Sequence, residues 1–446
     1  EIRESRVNTS MKKNVSNFLQ AFSKTIRKTA AQKIIGLMVV ISSSAVSSIA
    51  AAQGTLPSLP TLNSSAPAVN PAAEKREPAA IPAPPALSAK SFILVDAASG
   101  KILMENNADQ RLPPASLTKL MTSYILSYEV VAGRVRNEDM VTISKNAWSQ
   151  NPTFKAKFNG SSLMFIEPTT PVSILDLHRG IVISSGNDST VAVAEHLAGT
   201  EAAFADMMNA HAKRLGMSNS HFVNSHGLDD PEHYTTARDL AILSRAIIDT
   251  PDYYLHREKD FTFAGIKQYN RNGLLWKDAS VDGLKTGYTE GAGYCLVASA
   301  KRGDMRLIAI VMGTNSVRTR EDEVLSMLNY GFRYYETYPI YKANTEITNT
   351  PIWGGTAKTL SLGIAQDLTL TIPRGRRGDM KAVVNMQPNP WAPVAVQEAR
   401  GEIVISMGDE VIHKEPLIAL AEVPEAGFFA RIWDHIRLFF SQLFGG

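Results

Sequence analysis

Ser116 and Lys119, in Ala115-Ser116-Leu117-Thr118-Lys119, place a hydroxyl and an amine three residues apart. A serine hydroxyl is a weak nucleophile until a neighbouring base takes its proton. A lysine becomes that base once burial and nearby positive charge pull its pKa down. On a helix, the i, i+3 spacing makes the two side chains surface neighbours. Pro113-Pro114 interrupts whatever precedes, so Ser116 is expected at or near a helix start. Leu117, Leu120, Met121, Tyr124, Ile125 and Tyr128 form the apolar stripe of that helix, and Ser116 and Lys119 flank it. The pair alone is a weak signal, because Ser10-Met11-Lys12-Lys13 repeats the spacing. Likewise Ser-x-Asn occurs at Ser149-Gln150-Asn151 as well as at Ser185-Gly186-Asn187.

An ordered trio is stronger. Ser116-x-x-Lys119 is followed after 69 residues by Ser185-Gly186-Asn187, and after a further 100 by Lys285-Thr286-Gly287, the sole Lys-Thr-Gly in the sequence. Ser185 falls between the apolar run Ile181-Val182-Ile183 and a helix expected from near Asp188, so it should occupy a tight turn. Lys285-Thr286-Gly287 ends an expected strand. Its glycine is read as leaving room for a ligand backbone at the strand edge. These are the contexts that such a motif set requires.

Other chemistry-bearing residues read as structural. His226 could pair with a serine, but the trio already supplies a base, so it is taken as a loop residue. Asp229-Asp230, just before Pro231, reads as a solvated loop. Cys295 is the one cysteine, which excludes an intrachain disulfide, and its apolar surroundings mark it as a small buried residue. The nine histidines show no His-Glu-x-x-His spacing, and no metal or organic cofactor is expected.

The elements that must position the trio come from the periodicity. A hairpin is expected at the start of the folded sequence, with Ser91-Phe92-Ile93-Leu94-Val95 as its first strand and Lys101–Met104 as its second. Residues 115–246 read as mostly helical, with loops at 151–171 and 217–234. Strands are expected at 261–264, 280–286, 294–299 and 306–312, then a helix near 321–337. Strands on both sides of a helical middle predict an α+β domain with one antiparallel sheet, placed at residues 88–346. Residues 347–424 alternate with Gly/Pro punctuation and read as a small all-β, sandwich-like domain.

The ends differ from this body. Residues 1–52 read as an export signal: a basic region from Met11-Lys12-Lys13, an uncharged apolar stretch from Ile34 to Ile49, and the small residues Ala50-Ala51-Ala52. Residues 1–10 precede the first Met and are left open as lying upstream of the natural start. Residues 53–87, dense in Pro, Ala and Ser, read as an extended linker. The formal charge of +3 comes from the basic signal region, since residues 53–446 carry 38 basic and 41 acidic side chains. A basic footprint for nucleic acid is therefore absent from the body. In residues 425–446, Phe429, Ile432, Trp433, Ile436, Phe439, Phe440 and Leu443 share one helical face, with Arg431, Asp434, His435 and Arg437 off it. The segment is too short and charged to span a bilayer, but is suited to lie in its interface. The other reading is a helix docked on the β domain.

With the trio stand further motifs: Arg179-Gly180-Ile181, Ser185-Gly186-Asn187-Asp188, His226-Gly227-Leu228, Asn270-Arg271-Asn272-Gly273-Leu274-Leu275-Trp276, Val281-Asp282-Gly283-Leu284-Lys285-Thr286-Gly287, Leu370-Thr371-Ile372-Pro373-Arg374-Gly375 and the aromatic tail. Together, from about Ser88 onward, they resemble the low-molecular-mass penicillin-binding proteins of the D-alanyl-D-alanine carboxypeptidase group. The resemblance implies Ser116 as nucleophile and Lys119 as its base. It implies Ser185 as proton relay to the leaving amine, with Lys285 tuning it. Asn187 would bind the peptide amide. Thr286, with Lys285, would hold the terminal carboxylate, aided by Arg320. The N–H groups of Ser116 and Tyr288, beside Gly287, would form an oxyanion hole. Some relatives have His where Tyr288 stands, which touches loop detail and not the mechanism. The implied partners are a peptidoglycan peptide, β-lactam inhibitors and the outer face of the cytoplasmic membrane; homodimerisation is left open. Alternatives are a β-lactamase or D,D-endopeptidase of the same fold, or a non-catalytic wall or membrane scaffold.

Overall fold

The computed structural model describes residues 81–444. The expected signal segment and most of the expected linker lie outside them. The chain opens with β1 (Ser91–Asp96) and β2 (Ile102–Asn106). A 3-10 turn over Ala115–Thr118 then leads into α1 (Lys119–Val131). The helical lobe follows, with β3 (Met140–Val141), α2 (Pro152–Phe158), β4 (Val172–Ser173), α3 (Ile174–Arg179), α4 (Asn187–Ala198), α5 (Glu201–Leu215) and α6 (Ala237–Ile248). After the hairpin β5 (Asp260–Phe263) and β6 (Ile266–Tyr269) and the turn α7 (Leu274–Lys277), the chain returns to the sheet. It does so as β7 (Val281–Thr289), β8 (Gly293–Arg302) and β9 (Met305–Thr314), and α8 (Val317–Tyr334) closes the unit.

The central antiparallel sheet has the order β2-β1-β9-β8-β7. Its middle strands are buried on both faces, which is why they read as nearly unbroken apolar runs. The two-residue period still sorts their side chains. Ile93, Val95, Val297, Ile308 and Ile310 pack with Leu120, Met121 and Leu240 of α1 and α6. Leu94, Leu296, Leu307 and Val311 pack with Val324, Met327 and Leu328 of α8. A third cluster fills the helical lobe around Leu177, Ile181, Ile183 and Val193. The strand carrying Lys285 is left at the sheet edge beside this lobe.

The second domain contains β10 (Tyr335–Tyr341), β11 (Thr348–Pro351), β12 (Thr359–Gly363), β13 (Leu368–Pro373), β14 (Met380–Met386), β15 (Ala399–Met407) and β16 (Glu410–Ala419). Strands β11-β12-β16-β15-β14 form one sheet and β10-β13 another, over a core that includes Ile347, Leu362, Ile403 and Leu417. The last element, α9 (Phe428–Phe444), touches this domain through polar residues. Gly354 N donates to Asp434 Oδ2 at 3.0 Å, and His435 stacks on Trp391 with ring centroids 4.2 Å apart. Its apolar side faces solvent, with Phe429 84% and Trp433 62% exposed.

Several local expectations shift. The expected loop at 151–171 begins as a helix, because Asn151 caps it through Thr153 N and Pro152 takes a first-turn position where no N–H is required. The strand near 261–264 pairs only with β6, apart from the central sheet. The helix expected near 321–337 starts earlier, where Ser316 accepts from Thr319 N. It also ends earlier, because from Tyr335 the chain pairs with β13. In the expected linker, Ile81 and Leu87 pack against the α8 side of the core, and Tyr330 donates to Pro82 O at 3.2 Å.

Candidate active site

The turn that carries Ser116 is built by backbone geometry. Ala115 adopts φ +48° and Ser185 φ +63°, a left-handed conformation that costs a non-glycine residue on the order of 1–3 kcal/mol. Each strained turn presents one serine of the trio. Lys119 opens α1 one turn after Ser116 and is 1% exposed. Its Nζ donates to Ser116 Oγ at 3.1 Å, Asn187 Oδ1 at 2.7 Å and the His226 carbonyl at 2.7 Å. Burial is the main force that lowers its pKa from 10.5 to about 7. The Asp188 carboxylate opposes this, the Arg271 guanidinium reinforces it, and Glu201 opposes it weakly. A neutral amine is therefore accessible near neutral pH, 3.1 Å from a hydroxyl.

A second amine–hydroxyl pair faces the first. Lys285 Nζ donates to Ser185 Oγ at 2.9 Å and to the Thr286 carbonyl at 3.0 Å. Burial pushes its pKa well down, and the cations Lys119, Arg271 and Arg320 add to that. An arriving carboxylate would counter all of these and stabilise the ammonium form. Asn187 is held at the start of α4: its N donates to Ser162 O at 2.8 Å and its Nδ2 to Ser161 Oγ at 2.9 Å. Its side-chain oxygen orients Lys119, and its amide keeps one further N–H for a ligand. The next residue, Asp188, is fully buried and accepts backbone N–H groups of Met164, Phe165 and Ile166, fixing the wall beside the cleft.

Strand β7 closes the other side. Gly287 lines the cleft and lies against the turn that carries Ser116. A Cβ there would sit 3.1 Å from Pro114 O and 3.2 Å from Ala115 Cβ, so its bare Cα lets the strand lie against the turn. Thr286 is buried, while Tyr288 is half exposed and packs on Tyr294 with centroids 4.3 Å apart. Arg320 reaches in from α8, donating through Nη1 to Gly287 O at 3.3 Å and Cys295 O at 3.4 Å, and its buried Nε has no partner. Ser116, Ser185, Asn187, Arg271, Thr286 and Arg320 line one cleft of about 490 Å³.

The structure thus brings all nine anticipated residues (Ser116, Lys119, Ser185, Asn187, Lys285, Thr286, Gly287, Tyr288 and Arg320) into this cleft or directly beneath it. His226 gives Lys119 its carbonyl, and its ring turns to Glu201, with Nε2 2.9 Å from Oε1. Asp229 binds Thr289 Oγ1 at 2.7 Å, tying its loop to the end of β7. Cys295 is buried, which pushes its thiol up to about 11. Sequence reasoning assigned no role to Arg271, Asp188 or Ser161. Arg271 Nε donates to Ser184 O at 3.0 Å and lines the cleft. Arg271 lies within the motif at 270–276 and Asp188 within that at 185–188, which gives each a sequence signal; Ser161 has none.

Comparison with known proteins finds relatives over most of the chain. The family model "D-alanyl-D-alanine carboxypeptidase" matches residues 78–316, and "Penicillin-binding protein 5, C-terminal domain" matches residues 335–425. A D-alanyl-D-alanine carboxypeptidase, DacA, of Escherichia coli (strain K12) is 46% identical over 370 residues, covering 82% of this chain and 91% of the relative. Penicillin binding protein 5 from Haemophilus influenzae superposes with a TM-score of 0.74 at 42% identity, covering 77% of this chain and 99% of that one. Penicillin-Binding Protein D2 from Listeria monocytogenes, solved in a cefotaxime-bound form, matches 56% of this chain and all of its own at 30% identity, with a TM-score of 0.51.

Proposed function

Because this chain belongs to the D-alanyl-D-alanine carboxypeptidase family, we propose that it removes the terminal D-alanine from peptidoglycan pentapeptides through an acyl-enzyme on Ser116. The observation that carries this reading is the buried Lys119 amine 3.1 Å from Ser116 Oγ, with its pKa lowered to about 7. Ser116 Oγ attacks the carbonyl between the two D-alanines while Lys119 takes its proton. The oxyanion is held by the N–H groups of Ser116 and Tyr288, a contribution of roughly 3–4 kcal/mol per donor. Ser185, hydrogen-bonded to Lys285, delivers a proton to the departing D-alanine nitrogen. Water then attacks the ester and frees the shortened peptide. Lys285, Thr286 and Arg320 grip the terminal carboxylate, and Asn187 donates to the peptide carbonyl. A β-lactam mimics the D-Ala-D-Ala end, and its ring opens onto Ser116 to leave a slowly hydrolysed ester.

The ends of the chain fit work on the cell wall. The signal-like start directs export to the outer face of the cytoplasmic membrane. Helix α9 then anchors the protein there, its aromatic side turned to the lipid interface while Asp434 and His435 hold it to the β domain. No helix among the described residues is long and apolar enough to cross a membrane.

Mass spectrometry of the intact protein after benzylpenicillin, followed by peptide mapping, tests the nucleophile. A one-to-one adduct on the peptide bearing Ser116, with D-alanine release from a pentapeptide that Ser116→Ala abolishes, is the expected result. Rapid cephalosporin turnover without D-alanine release would instead identify a β-lactamase, and no adduct would refute the mechanism.

A further inference from the structure

The Lys119 amine depends on a backbone carbonyl as its third partner, and the segment that supplies it is held from behind. His226 N and Gly227 N both donate to Asn224 Oδ1, at 3.3 and 2.7 Å. Leu228 N donates to His226 Nδ1 at 3.1 Å, so Nδ1 is the bare nitrogen and the ring proton of the neutral imidazole sits on Nε2. That Nε2 lies 2.9 Å from Glu201 Oε1, in close contact with the carboxylate although the ring N–H is not aligned for a hydrogen bond. The His226 side chain is 1% exposed, and its ring packs at right angles to that of Phe158, with centroids 4.7 Å apart.

Glu201 is placed to stay ionised. It occupies the first turn of α5, after the cap Thr200, where the free N–H groups favour negative charge. It accepts from Ser225 Oγ at 3.1 Å and from Lys157 Nζ at 2.9 Å. Lys157 and Phe158 end α2, and the residues just beyond, Gly160, Ser161 and Ser162, line the cleft or hold Asn187. One carboxylate thus touches the histidine whose carbonyl orients the amine and the helix that leads into the cleft wall.

We infer that Glu201 is a positioning residue for acylation: through the His226 ring it holds the carbonyl that aims the Lys119 amine at Ser116, and through Lys157 it ties that carbonyl to the cleft wall. The inference rests on the reading of Ser116 and Lys119 as nucleophile and base. Because His226 rests its carbonyl on the amine and its ring on the carboxylate, a shift of the ring moves the acceptor of Lys119. A misplacement of about 1 Å in such a contact costs on the order of a hundredfold in rate. The carboxylate is also one of the charges facing Lys119. The others are Asp188 on α4, Arg271 before α7, Lys285 on β7, and His226 and His233 in the loop between α5 and α6. Asp188 and Glu201 are the two that favour its protonated form, so removing Glu201 moves the acid limb of acylation to lower pH.

The test is the second-order rate of labelling by a fluorescent penicillin from pH 5.5 to 9.5, on the full chain, with melting temperatures recorded alongside. Glu201→Ala is expected to lose about tenfold at pH 9, where the amine is already neutral, and to show the displaced acid limb. Glu201→Gln keeps a polar oxygen against Nε2 but not the charge. It should regain most of the pH 9 rate while retaining the displaced limb. Should Glu201→Ala not fold, the limb of Glu201→Gln decides alone. Wild-type rates with an unmoved limb overturn the inference. Equal slowing of both variants with an unmoved limb also overturns it, since that marks a purely structural glutamate. Labelling that survives Ser116→Ala would instead sink the underlying nucleophile assignment.

Discussion

Replacing Lys119 with methionine removes a buried amine while keeping a side chain of similar length, and its consequence for stability has a definite sign. The folded protein holds this lysine at a pKa near 7 against 10.5 in the absence of burial. Between those values the unfolded chain binds a proton that the native state does not. Native stability therefore rises with pH across that window, by at most about 1.4 kcal/mol per unit, and is flat with respect to this group below pH 7. The methionine variant lacks the effect. Its lost hydrogen bonds to Asn187 Oδ1 and the His226 carbonyl add an offset that does not depend on pH. Lys285 is present in both proteins and largely cancels in the comparison. The difference in unfolding free energy, wild type minus variant, should thus grow by about 2.5 kcal/mol between pH 7.5 and 9.5, measured by urea titration at each pH. In a series extended down to pH 5.5 the wild type should lose penicillin acylation about tenfold per unit below pH 7, and the variant should be slower by about a hundredfold or more throughout. A free-energy difference that stays level, or a variant that acylates normally, would refute the argument that burial tunes this base.

Three further outcomes follow from named contacts. Gly227 has φ +94°, and a Cβ there would lie 1.8 Å from Ala115 O, so Gly227→Ala should destabilise the protein by more than about 3 kcal/mol and abolish labelling; an unchanged melting temperature would contradict this. Arg320→Gln should raise KM for a peptide with a free terminal carboxylate about tenfold or more while lowering kcat less, and the penalty should shrink for an amidated peptide, as steady-state kinetics would read. Removing residues 428–446 should release the protein from anionic phospholipid vesicles in a flotation assay and leave D-alanine release from a soluble peptide within about twofold; continued flotation would count against α9 as the anchor.

The candidate site was legible in the sequence because it uses residue types that ordinary packing does not bring together in order. The prolines before Ser116, the apolar stripe of α1 and the single Lys-Thr-Gly each left a local signature. The sheet was legible because the two-residue period persists in β1, β8 and β9 even where both faces are buried. Short elements such as α2, β6 and α7 were not, since a single turn or pair of strands carries too little periodicity to stand out.

What the sequence determined by itself, then, was which residue types make up the candidate site and on which kind of element each sits, since local spacing and turn chemistry act over a few residues. Tertiary structure alone decided how those groups are tuned. The pKa of Lys119 comes from burial and from Asp188, Arg271 and Glu201, which lie 69 or more residues away in the chain. The face that Gly287 clears and the carbonyl that aims the amine are likewise set by contacts between β7, the nucleophile turn and the loop at His226. Desolvation and Coulomb forces depend on distance in space, and no spacing along the chain encodes that until the elements have packed.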